Sequence, residues 1–151
     1  MDNSRRSIPE EEPTPDKHRN AVTRAVSPAS FNVPFIFQIP NGFDVISCVT
    51  QLAQCYQRPV TVLSGNGLIA DVGFTFPQVP SEPRVIYGIY HMLSFAGTYN
   101  CVNVLPGDTV SCFTVSLIDV DNGILAGGIV ASTMRAVSPV MLVVFFTHDL
   151  S

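Results

Sequence analysis

The sequence predicts an α+β fold: a mixed, mostly antiparallel β-sheet flanked by one main helix. Three observations carry that prediction. Beyond residue 30, short runs rich in Val, Ile, Phe and Thr recur between clusters of Gly, Pro, Asn and Asp, the pattern of strands and turns. Only one segment, Asp44 to Gln57, spaces its apolar residues at helical intervals. Hydrophobic residues make up 46% of the 151, enough to bury a core in a single domain of this length.

Residues 1–30 read as a disordered tail. They hold Pro9, Pro13, Pro15 and Pro28, an acidic block from Glu10 to Glu12, and few large apolar side chains. The domain occupies residues 31–151 and opens on the strand Phe35 to Ile39, which Pro40-Asn-Gly42 ends. In the helix that follows, Val45, Ile46, Val49, Leu52, Ala53 and Tyr56 share a face for packing on the sheet, and Pro59 stops it. Val60 to Leu63 is a short strand, Ser64-Gly-Asn-Gly67 a hairpin turn, and Leu68 to Phe76 an alternating strand. Pro77 to Pro83 reads as a loop. Val85 to Tyr99 is a long strand with Gly88 or Gly97 as the place for a bulge. Pro106-Gly-Asp108 is a turn, Cys112 to Asp119 a strand, and Asp121-Asn-Gly123 a tight hairpin turn. Ile124 to Ser132 and Val140 to Thr147 complete the sheet. Gly65, Gly67, Gly88, Gly97, Gly127 and Gly128 are read as serving turns, bulges or close strand packing.

Charge narrows the function. Charged residues are 13% of the chain, against about 25% in ordinary globular domains. The tail holds five basic residues (Arg5, Arg6, Lys17, Arg19, Arg24) and five acidic ones, which cancel. Subtracting these from the totals of 8 and 12 leaves 3 basic and 7 acidic residues in 31–151, a net charge of −4. Nucleic-acid affinity comes largely from Lys and Arg neutralising phosphates, and three scattered arginines on an acidic body do not supply it. The longest strictly apolar run, Val140 to Phe146, falls far short of the roughly 18 residues a membrane span needs. With no apolar signal segment at its start, the chain is expected to be soluble and intracellular, without membrane association.

Local motifs give no chemistry. Gly65-Asn-Gly67-Leu-Ile-Ala70 matches a dinucleotide-binding GxGxxA, but an alternating strand follows where the helix that would face the pyrophosphate belongs. Asp119-Val-Asp121-Asn-Gly123 opens like a calcium loop, yet its glycine comes one place early and no Glu closes it. Cys48 and Cys55, seven apart on the helix, lie about 10.5 Å apart along its axis, too far for a disulfide. With Cys101 and Cys112 they read as reduced, buried thiols, and no metal spacing is present. No nucleophile elbow, HExxH or carboxylate cluster points to an enzyme. His91 mid-strand and His148 after the last strand could ligate a metal only by meeting a further ligand in space.

Several segments resemble a known domain in the same order. Arg58-Pro-Val-Thr-Val-Leu-Ser-Gly-Asn-Gly-Leu-Ile-Ala-Asp-Val72 resembles one segment of the PPC domain of plant AT-hook motif nuclear-localized proteins, which also has prokaryotic relatives. Gly88-Ile-Tyr-His-Met-Leu-Ser-Phe-Ala-Gly-Thr98, Leu125-Ala-Gly-Gly-Ile-Val-Ala131 and Ser138-Pro-Val-Met-Leu142 resemble three more. The resemblance implies a homotrimer in the nucleus that regulates transcription by assembling with related PPC-domain proteins and with transcription factors. It implies no catalysis and no cofactor. It also implies a partner-contacting strand at Gly88, Ile89, Tyr90, His91, Met92 and Leu93.

Two departures bear on function. The Arg-Gly-Arg-Pro centre of an AT-hook, which lies along the minor groove of AT-rich DNA, does not occur. Where the family's partner strand carries Arg-Phe-Glu, this chain has Ile89-Tyr90-His91, without either charge. DNA contact is therefore expected to be indirect. Two alternatives remain at this stage: direct AT-rich DNA binding through Arg5, Arg6, Lys17, Arg19 and Arg24, and a small-molecule or metal site at His91 as in the prokaryotic relatives.

Overall fold

A computed structural model describes residues 33–76, 79–101, 111–131 and 133–147. The tail with its five basic residues, His148 and the Pro106 turn lie outside the described residues. The elements are β1 (Phe35–Ile39), α1 (Val45–Tyr56), β2 (Val60–Phe76), β3 (Val79–Tyr99), β4 (Ser111–Asp119), β5 (Leu125–Val130), β6 (Arg135–Ala136) and β7 (Val140–Phe146). This is the α+β architecture expected, with one helix on a mostly antiparallel sheet; every pairing among the described residues is antiparallel.

The sheet runs β1-β7-β2-β3-β4-β5. The far end of β2 also pairs with β5, through Phe74↔Val130 and Thr75↔Ile129, so strands β2 to β5 curl round and close. β1 and β7 extend this half-barrel on the other side of β2. Helix α1 covers the inner face. Asp44 starts it as N-cap, its carboxylate accepting the Ser47 N–H at 2.8 Å. Gln57, in the left-handed region at φ 52°, ends it with its N–H on the Ala53 carbonyl. Val45, Cys48, Val49, Leu52 and Ala53 are buried against Phe37, Val62, Leu142 and Phe146 of the core. The Tyr56 ring meets Phe146 edge-on at 5.5 Å and Phe35 stacks on Phe146 at 5.6 Å, pinning the helix end over β1 and β7.

Several expectations need correction. Ser64-Gly-Asn-Gly67 is not a hairpin turn: β2 runs unbroken through it, with Ser64, Gly65 and Asn66 paired to Val143, Leu142 and Met141. Gly65 is there for close packing, since a Cβ would stand 2.6 Å from the Met92 sulfur and 2.9 Å from a Leu142 methyl. Residues 79–83, expected in a loop, begin β3. Their prolines are accommodated because the ladder jumps from Phe76↔Val79 to Phe74↔Arg84, leaving 80–83 out of register. Of the two bulge sites, Gly88 is borne out: Tyr87 and Gly88 stand opposite Asp71 alone, between Ala70↔Ile89 and Val72↔Ile86. Gly97 stays in register with Val62 and Phe113, and the second bulge falls at Leu93. The short strand β6 was not foreseen; it pairs with Ile69 and Ala70. The thiols are all free, but only Cys48 is buried: Cys101 is half-buried, and Cys55 and Cys112 are exposed.

Candidate interaction surface

Among the described residues nothing covers the outer face of the sheet, opposite the helix, and the register assigns its residues. One row across the strands reads Phe145, Thr61, Thr98, Cys112. The next contains Ile36, Val143 and Ser64, continued on β3 to β5 by Ala96, Thr114 and Ile129. A third contains Gln38, Met141 and Asn66, with Ser94, Ser116 and Gly127 beyond. The last reads Leu68, His91, Ile118, Leu125. No Asp, Glu, Lys or Arg occupies any of these positions. Ordinary sheet faces in contact with water alternate apolar-in with polar or charged-out. Here the outward set is mostly small, hydroxylic or apolar, with the amides Gln38 and Asn66 and the imidazole of His91 as its other polar members. Leu63, Leu93, Ile36 and Met141 are exposed on the same face.

The strand expected to contact partners lies at one end of this face. Ile89, His91 and Leu93 are exposed, and Tyr90 is half-buried with its hydroxyl donating to the Tyr87 carbonyl at 3.4 Å. Gly88 holds the bulge that separates Ile89 from Tyr87. Met92 departs from the expectation: strand alternation turns it inward, and at 1% exposed it is core beneath Gly65. His91 stands between Leu68 and Ile118, with no ionisable side chain directly opposite on either strand. Among the described residues no three of His, Cys, Asp and Glu converge as metal ligands, and no helix is long and apolar enough to cross a membrane.

Charged groups cluster elsewhere. Asp71, with φ 57° beside the Gly88 bulge, pairs with Arg135 on β6 at 2.8 Å. Asp44 joins the helix start to the segment before β6, accepting the Met134 N–H at 2.7 Å and the Thr133 hydroxyl at 3.2 Å. These two carboxylates serve the fold. Sequence reading missed both because their partners lie on β6, the strand it did not foresee, and on the segment leading into it.

The sequence profile of the Plants and Prokaryotes Conserved (PCC) domain matches residues 27–147. The chain belongs to this family. The PCC domain, also abbreviated PPC, is shared with AT-hook motif nuclear-localized protein 23 of Arabidopsis thaliana, to which the chain is 31% identical over 108 residues. That match covers 72% of this chain but 36% of the relative, so the chain spans about a third of that protein's length. Among solved structures, a plant- and prokaryote-conserved protein from Pyrococcus horikoshii superposes with TM-score 0.59 at 18% identity, over 78% of this chain and 81% of that one. A candidate DNA-binding protein from Bacteroides thetaiotaomicron gives TM-score 0.64 at 11% identity, over 77% and 79%. At these identities the structures establish the PPC fold alone. The curated PPC relatives are named for AT-hooks and nuclear localisation and not for any enzymatic activity, which supports the nucleus as the location of this member.

Proposed function

We propose that this PPC domain is a nuclear assembly module: it forms a homotrimer and mixes with related PPC-domain subunits that bind DNA, taking part in transcription regulation through them. The observation that carries this reading is the outer sheet face, uncovered among the described residues and without a charged side chain in its four rows. Covering it removes apolar surface from water at about 25 cal/mol per Å² and buries no unpaired charge. A face of five or more strands also has the extent for the roughly 800 Å² per partner of a stable interface.

The Gly88–Leu93 strand supplies Ile89, His91 and Leu93 to this face, and Met92 only supports it from beneath. Because the chain has no Arg-Gly-Arg-Pro, each copy entering a mixed trimer replaces a hook-bearing subunit and removes phosphate contacts. The module then weakens the DNA grip of its assemblies. Light scattering at micromolar concentration is expected to give three times the chain mass, and a monomer would sink the trimer.

A second reading rests on the hooks in the relatives' names: direct binding of AT-rich DNA by Arg5, Arg6, Lys17, Arg19 and Arg24. The equal number of acidic residues in the same tail weighs against it. Titration of an AT-rich duplex at low salt separates the two readings, since direct binding must appear there with the protein alone.

A further inference from the structure

The β4–β5 hairpin ends in a turn that is rigid and greasy at once. The Asp119 carboxylate accepts the Asp121 and Asn122 N–H groups at 2.8 and 3.3 Å. The Asn122 side chain accepts the Ile124 N–H at 2.8 Å, and the Gly123 N–H returns to the Asp119 carbonyl at 2.9 Å. Such a turn needs no apolar side chain, since its own polar groups satisfy it. Yet Val120, Ile124 and Leu125 project from it, Ile124 at 64% and Leu125 at 68% exposed. The Val120 N–H donates to the Ile89 carbonyl at 3.2 Å, which sets exposed Ile89 alongside, and Tyr87, 75% exposed, follows beyond the Gly88 bulge. A contiguous apolar patch held on an ordered turn marks an interaction site.

The charge around this patch selects the partner. Asp119 and Asp121 edge it, Arg84 lies further back along β3 beyond the bulge, and residues 31–151 carry 7 acidic against 3 basic residues. A second copy would bring its own acidic turn, its uncharged sheet face or a tail whose five basic residues are matched by five acidic ones, and none of these supplies a net positive partner for two carboxylates. We infer that the hairpin tip docks a segment of a different protein in which apolar side chains alternate with Lys or Arg. The apolar side chains would cover Val120 and Ile124 at the tip, and the cations would meet Asp119 and Asp121. This site borders the sheet face proposed for assembly, whose last row ends at Leu125, and it rests on that reading only for the partition between copies and other partners.

The test uses the full chain and two labelled ten-residue probe peptides, one alternating Leu with Lys and one alternating Leu with Glu. Fluorescence anisotropy is expected to show saturable binding of the Leu–Lys peptide and at least about tenfold weaker binding of the Leu–Glu peptide. The double variant Val120→Ser with Ile124→Ser should weaken the Leu–Lys peptide by about tenfold. Asp121→Lys should narrow the preference between the peptides. Circular dichroism melts verify that the variants fold, and light scattering on the same samples should give an unchanged assembly mass. Equal binding of both peptides, indifference to the double variant, or loss of assembly in that variant would each overturn the inference. A wild-type monomer that still binds the Leu–Lys peptide at the tip would overturn the assembly reading and leave this one standing.

Discussion

Asp44 and Met134, ninety positions apart in sequence, are joined by a hydrogen bond of 2.7 Å from the Met134 N–H to one carboxylate oxygen, while the other oxygen caps helix α1 through Ser47. The Val45 N–H also reaches back to the Met134 carbonyl at 2.7 Å. One side chain therefore ties the start of the only helix among the described residues to the segment that leads into β6. Asp44→Ala removes an N-cap and leaves the part-buried Met134 N–H without its acceptor. The expected loss is about 2 kcal/mol. Asp44→Asn retains one acceptor oxygen and should lose about half as much. Urea unfolding midpoints of the two variants check the order.

Cys48 gives the fold a dependence on alkaline pH. Its thiol is pushed up to about 12, first by burial and then by the negative charge of Asp44. Below pH 9 both folded and unfolded chains hold the proton, and the full stability is present. Between 9 and 12 the unfolded chain releases the proton and the folded one keeps it. Stability therefore falls as pH rises through that window, by up to about 1.4 kcal/mol per pH unit from this group. Cys48→Ala should remove that part of the slope in urea melts between pH 8.5 and 11 (roughly the range where thiols ionise). At neutral pH a thiol reagent should label exposed Cys55 quickly and Cys48 only on unfolding.

Gly97 is the position where the sheet tolerates no side chain. With φ +151°, a Cβ there would overlap the Cys112 carbonyl oxygen and stand 2.7 Å from the Phe113 Cα. Both obstacles are backbone of the neighbouring strand, so β3 and β4 must separate to admit it. Gly97→Ala is expected to cost about 3 kcal/mol or more. Gly123→Ala, in open space at φ +74°, should cost only about 1 kcal/mol of backbone strain. Thermal melts of the two variants separate steric exclusion from turn geometry.

Legibility followed the range of the interactions. Helix α1 was readable because its cap at Asp44 and its apolar spacing are local signals, and the Asp121-Asn-Gly123 turn for the same reason. Gly65 and Gly67 misled because a glycine needed for close packing, against Met92 and Leu142 at Gly65 and against Val140 at Gly67, is indistinguishable, in sequence, from one needed for a turn. β6 was invisible because two residues carry no period, and its place is set by Ile69 and Ala70, more than sixty positions away. The Gly88–Leu93 strand could be located, but its inward Met92 and the bulge at Leu93 depend on the register with β4. The uncharged outer face emerged only when that register assigned residues from six strands to one side.

Thr114 is the residue through which that face is best challenged. It lies mid-strand on β4, between Ala96 of β3 and Ile129 of β5, and is exposed. Thr114→Lys places an ammonium on the outer surface without touching the core, and the strand-propensity cost is below about 1 kcal/mol. The isolated chain should keep its unfolding midpoint. In an assembly that covers this face, the charge would be buried without a partner, at a cost of several kcal/mol, on the order of 3 to 5 per subunit. Light scattering should therefore drop to the mass of one chain at concentrations where the wild type is trimeric, while Asp121→Lys at the hairpin tip should leave the mass unchanged. A Thr114→Lys protein that stays assembled would mean that the copies meet through another surface, with the β1 edge the next place to introduce a charge.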